Sequence, residues 1–231
     1  MDIEQRRSAG WVDPRPQFDE GPVVRLPALH DLSPRQAELS DMITAKRGGT
    51  RGPFLVWLRS PGLCEHVDAL GAYCRFESQL PERLRELSLL LAARFWDAQY
   101  SWNAHVERAV NEGVEAGALD AIAAGEIPTF ADRADQVFYD FCMQVLHDHF
   151  VSDVVFAEAL DLFGEAGLVD TIGCLGNFSM LAMCLNTFQV DLQAGRTPPF
   201  PDVSGYAKLA DIPGPRVGLD EASVQGAPDR A

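Results

Sequence analysis

From about residue 31 to about residue 194, apolar residues recur at three- and four-residue spacing. No run of strict alternation is long enough to build a sheet, so the pattern predicts helices throughout. Ser33-Pro34 opens the first, with a capping serine, proline at the first helical position and Gln36 completing a capping box; it stops near Gly48-Gly49. Ser60-Pro61 opens a second helix to about Phe76, with Leu63, Val67, Leu70 and Cys74 forming its apolar stripe. Pro81 starts a third, about 82–95. Asp97 is a plausible cap for a fourth, about 98–112, which Gly113 closes. A short helix over about 115–124 ends at Gly125, with Pro128 beyond it. Helices over about 131–149, 153–164 and 168–193 follow, and Ser152 or Asp153 caps the second of these. The prediction is an all-α bundle of seven to eight helices.

The ends read differently. Residues 1–30 carry Pro14, Pro16, Pro22 and Pro27 with little periodicity and are expected to form an extended arm. Residues 195–231, with Pro198, Pro199, Pro201, Pro213, Pro215 and Pro228, are expected to form a tail. Within the helical domain, 31–194, the stretch Leu87 to Ala93 has Ser88 as its one polar member and must be enclosed on all sides.

Charge narrows the partners. With 19 Lys and Arg against 34 Asp and Glu, the formal charge is −15, which argues against nucleic acid, whose phosphates need a basic footprint. An anionic small molecule stays open, because one buried arginine can override the bulk field locally. The N-terminus, Met1-Asp2-Ile3-Glu4-Gln5-Arg6-Arg7, is polar. No uncharged apolar run reaches the roughly 18 residues of a membrane span, so no membrane partner and a cytoplasmic location are expected. The five cysteines, Cys64, Cys74, Cys142, Cys174 and Cys184, form no CxxC or CxxH pair and read as buried free thiols.

Glu86 shares a helical face with Leu89, Leu90 and Ala93. A carboxylate on such a face loses water, and desolvation makes it a usable proton donor or acceptor. The alternative is a helix-start glutamate paired with Arg83 or Arg85. His105 stands beside the apolar stripe of Val106, Ala109 and Val110, with Asn103, Glu107, Arg108 and Asn111 turned to water. Histidine is the side chain best suited to passing protons near neutral pH, and a core histidine bonded to a carbonyl is the competing reading. His147 and His149 are two positions apart and point to different sides of a helix, so no metal site is expected. Gly48-Gly49-Thr50-Arg51-Gly52 lacks the spacing and lysine of a phosphate loop.

Glu86 followed by Tyr100-Ser101-Trp102-Asn103-Ala104-His105 resembles the carboxymuconolactone decarboxylase / alkylhydroperoxidase-D-like family. The resemblance starts at Gly52-Pro53-Phe54, passes through Ser60-Pro61 to Gly113, and continues in Gly125-Glu126 and Leu181 to Asn186-Thr187. It implies an all-helical fold that assembles as a homo-oligomer, a trimer or hexamer. In the family's peroxidase branch, a CxxC precedes the histidine and a glutamate completes the proton relay. Carried over by position, the glutamate is Glu86, the histidine His105, and the two cysteines fall on Ala98 and Ser101. Alanine and serine supply neither a peroxidatic nor a resolving thiol, so dithiol peroxidase chemistry is not expected.

The decarboxylase branch also lacks the CxxC. Its reaction, loss of carbon dioxide from a carboxylated unsaturated lactone, needs no cofactor. The resemblance therefore implies a cofactor-independent acid–base lyase acting on a small organic acid or lactone. His105 and Glu86 would be catalytic. Tyr100, Ser101, Trp102, Arg51 and Arg94 would hold the substrate, with a surface role equally open for each arginine. The chain is longer than the minimal family core. A non-catalytic helical binding or assembly module is the alternative.

Overall fold

The computed structural model describes residues 25–26, 29–193 and 195–201. Among them are eight α-helices and no strand element. They are α1 (Pro34–Arg47), α2 (Pro53–Trp57), α3 (Pro61–Ala72), α4 (Glu82–Phe95), α5 (Gln99–Asn111), α6 (Ala116–Ala124), α7 (Arg133–Met143) and α8 (Asp153–Phe188). The all-α expectation holds. Most of the proposed arm over 1–30 and tail over 195–231 lies outside the described residues.

Local chemistry sets the helix ends. The Ser33 side chain accepts from Gln36 N while the Gln36 side chain accepts from Ser33 N, and Gly48 closes α1 in the left-handed region. Gly125 ends α6 the same way, at φ 79°. Two helices finish in π-helical turns, Tyr73–Glu77 after α3 and Gln144–Asp148 after α7. Such turns re-aim side chains by a fraction of a turn and recur at functional sites. Near the C-terminal side, Gly164 (φ 67°, ψ 173°) breaks α8, so the two predicted helices lie either side of a kink and the second ends at Phe188. The short α2 has no periodic pattern to announce it.

Helix α4 is the centre of the bundle and packs against α5, α7 and α8. Every residue from Leu87 to Ala93 is buried, as its composition requires. Each leucine so enclosed contributes about 1.5–3 kcal/mol relative to exposure. On α3 the buried face is Cys64, Val67, Asp68 and Gly71, whereas Leu63 and Leu70 are 45% and 42% exposed. The apolar stripe predicted there is therefore rotated by about one residue, because Asp68 is satisfied inside by Lys46 and Arg47 and needs no water. Helix α8 is long and apolar enough to cross a membrane by length and composition, with a mean hydropathy of 1.6, yet half of that window is buried within the bundle. Its inner face carries buried Asp170, which accepts from the Tyr73 hydroxyl at 2.9 Å and the Gln79 amide at 2.6 Å. Polar groups so satisfied inside the protein suit a core helix.

Candidate functional site

A cavity of about 520 Å³ opens between α1, the loop before α2, α3 with its π-turn, α5 and α8. His105 lines it from the first half of α5, together with Tyr100, Ser101, Asn103 and Ala104. Behind it stands Glu86 on α4, 4% exposed, with Oε2 2.8 Å from His105 Nδ1. Its other oxygen, Oε1, lies 3.0 Å from Arg108 Nε. Arg108 reaches on to Glu82. The imidazole is thus held by its Nδ1 edge, leaving Nε2 as the nitrogen that can meet a ligand.

Glu86 pairs with neither Arg83 nor Arg85. Arg83 donates to Asp135 at 2.6 Å, and Arg85 lies 3.9 Å from Glu82. Arg108, expected to face water, keeps 37% of its side chain exposed, yet its long stem lets the head reach a buried carboxylate that its backbone position does not suggest.

Tyr100 stands over Gly52. That glycine has φ 57°, and a Cβ there would lie 2.7 Å from the Tyr100 hydroxyl, so the backbone conformation and the close approach both require glycine. Burial pushes the Tyr100 phenol up from its ordinary range, and the nearby Arg51 draws it part of the way back. Arg51 lines the cavity and donates to Gly48 O at 2.6 Å.

Two residues expected at the site lie elsewhere. Trp102 is 3% exposed, belongs to the main apolar core and packs edge-to-face on Phe200, outside the cavity lining. Arg94 donates to Asp97 Oδ1 at 2.6 Å and to Ile122 O at 3.1 Å, and covers the Phe200 ring. It faces a different cavity, of about 450 Å³, with Leu91, Tyr139 and His147. Asp97 is not the cap of α5. It takes φ 53° at the end of α4, its carboxylate turns back to Arg94, and Ala98 occupies the cap position.

The pattern of apolar positions gave no sign of the other basic residues on this wall. Arg47, Arg75, Arg108 and Arg196 join Arg51, so five guanidiniums face one cavity of a chain whose formal charge is −15. Arg47 is fixed by Asp68 at 2.9 Å and Arg196 by Glu107 at 2.6 Å. Asn177 of α8 is 2% exposed, and neither of its amide atoms has a partner within the protein. Glycine at 71, one turn before Arg75, and the asparagine at 177 within an apolar helix are the sequence signals that could have found this wall.

No cysteine lines the cavity. All five cysteines are free and buried. Ala98, at the first of the two positions carried over from the CxxC, is fully buried, and Ser101 lines the cavity. The tertiary structure does bring Cys74 and Cys174 together, which their spacing did not suggest: Cys174 donates to the Cys74 carbonyl at 3.7 Å. Its hydrogen bond to Cys74, then burial, holds the Cys174 thiol well above the usual range. Among the described residues no group of three or more His, Cys, Asp or Glu could hold a metal ion. His147 packs against Phe95, and His149 ends its π-turn at φ 66°.

No family model matches the chain, and no curated protein matches it. Among solved structures, the fold is shared with an uncharacterized peroxidase-related protein from Silicibacter sp. TM1040. The TM-score is 0.63 at 14% identity, over 76% of this chain and 94% of that one. At that identity the likeness establishes a common all-helical fold and leaves the chemistry to the site itself.

Proposed function

We propose that the chain is a cofactor-independent acid–base lyase acting on a small carboxylated lactone or conjugated acid. The observation that supports this reading most is the Glu86–His105 pair at 2.8 Å in the wall of a cavity with no thiol in its lining. In the proposed reaction the bond between the ring carbon and the substrate carboxylate breaks and carbon dioxide leaves. The electron pair passes into the conjugated carbonyl as a dienolate. The protonated His105 gives its Nε2 proton to carbon and is restored by a proton from water, while Glu86 holds Nδ1–H and fixes the ring. Tyr100 and Arg51 are placed to steady the oxyanion and the carboxylate.

The test is His105→Gln, assayed for carbon dioxide release from a 4-carboxylated muconolactone and related lactones. Loss of turnover by about 10²–10⁴ with the fold intact is expected. Unchanged turnover would remove His105 from the mechanism.

The ion pair of Arg108 with Glu86 favours a second reading, an anion-binding module without turnover, in which that carboxylate serves as a structural counter-ion. Tight binding of a lactone acid with no product formed would select it.

The assembly proposed with this function is a homo-oligomer, a trimer or hexamer. It is supported by α8, whose outer face leaves Val169, Ile172 and Met183 exposed, with open space over Gly173 and Gly176. Light scattering should give a mass well above the 25.3 kDa of one chain, and a mass near that value would refute it.

A further inference from the structure

Arg75 is the least accounted-for charge in the cavity wall. Its guanidinium lies over the Phe76 ring, 5.0 Å from the centroid, but among the described residues it makes no ion pair, and its Nε is buried without a partner. Burial holds its guanidinium below the ordinary arginine range; Glu86 opposes that, and the like charges of Arg47 and Arg108 add to it. Arg47 and Arg108 have carboxylates of their own, Asp68 and Glu86, whereas Arg75 has none in bonding reach, and a guanidinium that loses water without its own anion is unfavourable. A guanidinium can meet an oxyanion through two parallel hydrogen bonds, and Arg75 lines the cavity.

Asn177 is a second, independent sign. It is 2% exposed, lines the same cavity, and leaves both Nδ2 and Oδ1 unmatched, although buried amides are nearly always bonded. Arg47 and Asn177 converge over Gly71: a Cβ there would lie 3.5 Å from Arg47 Nη2 and 3.8 Å from Asn177 Oδ1. Arg75 follows Gly71 by four residues on the same face of α3 and its π-turn. Glycine keeps the floor of this cradle open. Arg51 belongs to a separate group, beside Tyr100 and Gly49.

We propose that Arg75, Arg47 and Asn177 over Gly71 form a second oxyanion subsite, so that the ligand carries an acidic group, carboxylate or phosphate, in addition to the one that meets Arg51 and Tyr100. The subsite rests on the reading of this cavity as the ligand site, not on decarboxylation. It makes the cavity selective for molecules with two acidic groups and rejects monoacids, because a single carboxylate leaves one cluster unpaired.

Calorimetric titration of the full chain with butyrate, glutarate and 3-phosphonopropionate, at fixed ionic strength, tests this. At least one of the two-acid probes should bind about tenfold or more tightly than butyrate, the size expected for one charge-assisted pair. The tighter of the two identifies the second group as carboxylate or phosphate. Arg75→Met should abolish that advantage while changing butyrate affinity by less than about twofold. Gly71→Ala, whose new methyl meets only ordinary contacts, should do the same by filling the cradle without removing a charge. Equal binding of all three probes would overturn the proposal, as would an advantage that survives Arg75→Met in a folded protein. Because binding is read without turnover, an inactive protein that still prefers diacids would sink the lyase reading alone. A turnover-competent protein with no such preference would sink the subsite alone.

Discussion

His105 Nδ1 lies 2.8 Å from Glu86 Oε2, which ties α5 to the most deeply buried helix of the bundle through one hydrogen bond. Arg108, on the same helix as His105, meets the other oxygen of the same carboxylate at 3.0 Å. One side chain therefore orients the imidazole and anchors the helix that carries it.

Glu86→Gln keeps the shape and an oxygen for Nδ1–H but removes the charge. It should leave the fold intact and lower lyase turnover by about 10²–10⁴. Glu86→Leu leaves His105 without its partner and removes one of the two carboxylates that Arg108 meets, and should destabilise the protein by about 1–3 kcal/mol, the cost of leaving a buried polar group unpaired. Urea melts of the two variants check this; equal stabilities would show that the carboxylate does not anchor α5.

Gly52→Ala places a methyl against the Tyr100 ring in a left-handed backbone. A cost of about 1–3 kcal/mol is expected, together with displacement of Tyr100 from the cavity wall. An unchanged denaturation midpoint would show that the approach of Tyr100 is loose.

Asp68 is expected to govern part of the acid limb of stability. Burial raises its pKa, but the hydrogen bonds from Lys46 and Arg47 outweigh burial and leave it below the ordinary value. With the folded value below the unfolded one, of about 3.9, the stabilisation is complete above that pH and disappears as pH falls through the lower folded value. The stability lost in Asp68→Asn should be constant from about pH 7 to 5 and shrink below about pH 4. A difference that grows toward acid would contradict the assignment.

The thiols should be inert in the native state. Burial pushes Cys64 up to about 11 and Cys184 up to about 12, and Cys142 is raised by the same cause. The contact with Cys174 draws the Cys74 thiol below its ordinary range, but Cys74 and Cys174 are 1% and 0% exposed, so burial keeps reagents from both. A thiol-reactive disulfide reagent should therefore find no fast-reacting group until the protein unfolds, and added hydrogen peroxide should not be consumed. One rapidly titrating thiol in the folded protein would reopen peroxide chemistry.

The helices were legible in the chain because their signals are local. Ser33, Pro34 and Gln36 close a capping box with neighbours three residues away, Gly125 ends a helix by its own backbone freedom, and Leu87 to Ala93 has no polar side to expose. The proximity of Glu86 and His105 was legible through resemblance and helix order.

The cavity's charge was not legible. Arg47, Arg75, Arg108 and Arg196 come from separate parts of the chain, and a flexible stem several ångströms long separates each backbone position from its charged head. Periodicity at Cα therefore assigned Arg108 to solvent without showing that its head reaches Glu86, and the resemblance drew Arg94 and Trp102 toward a cavity whose lining includes neither. Backbone hydrogen bonding over three or four residues determined the helices from sequence alone. Which arginines converge, and that Asn177 and Gly71 lie among them, was decided by the packing of α3, α5 and α8, since contacts between residues far apart in the chain exist only once the bundle has closed.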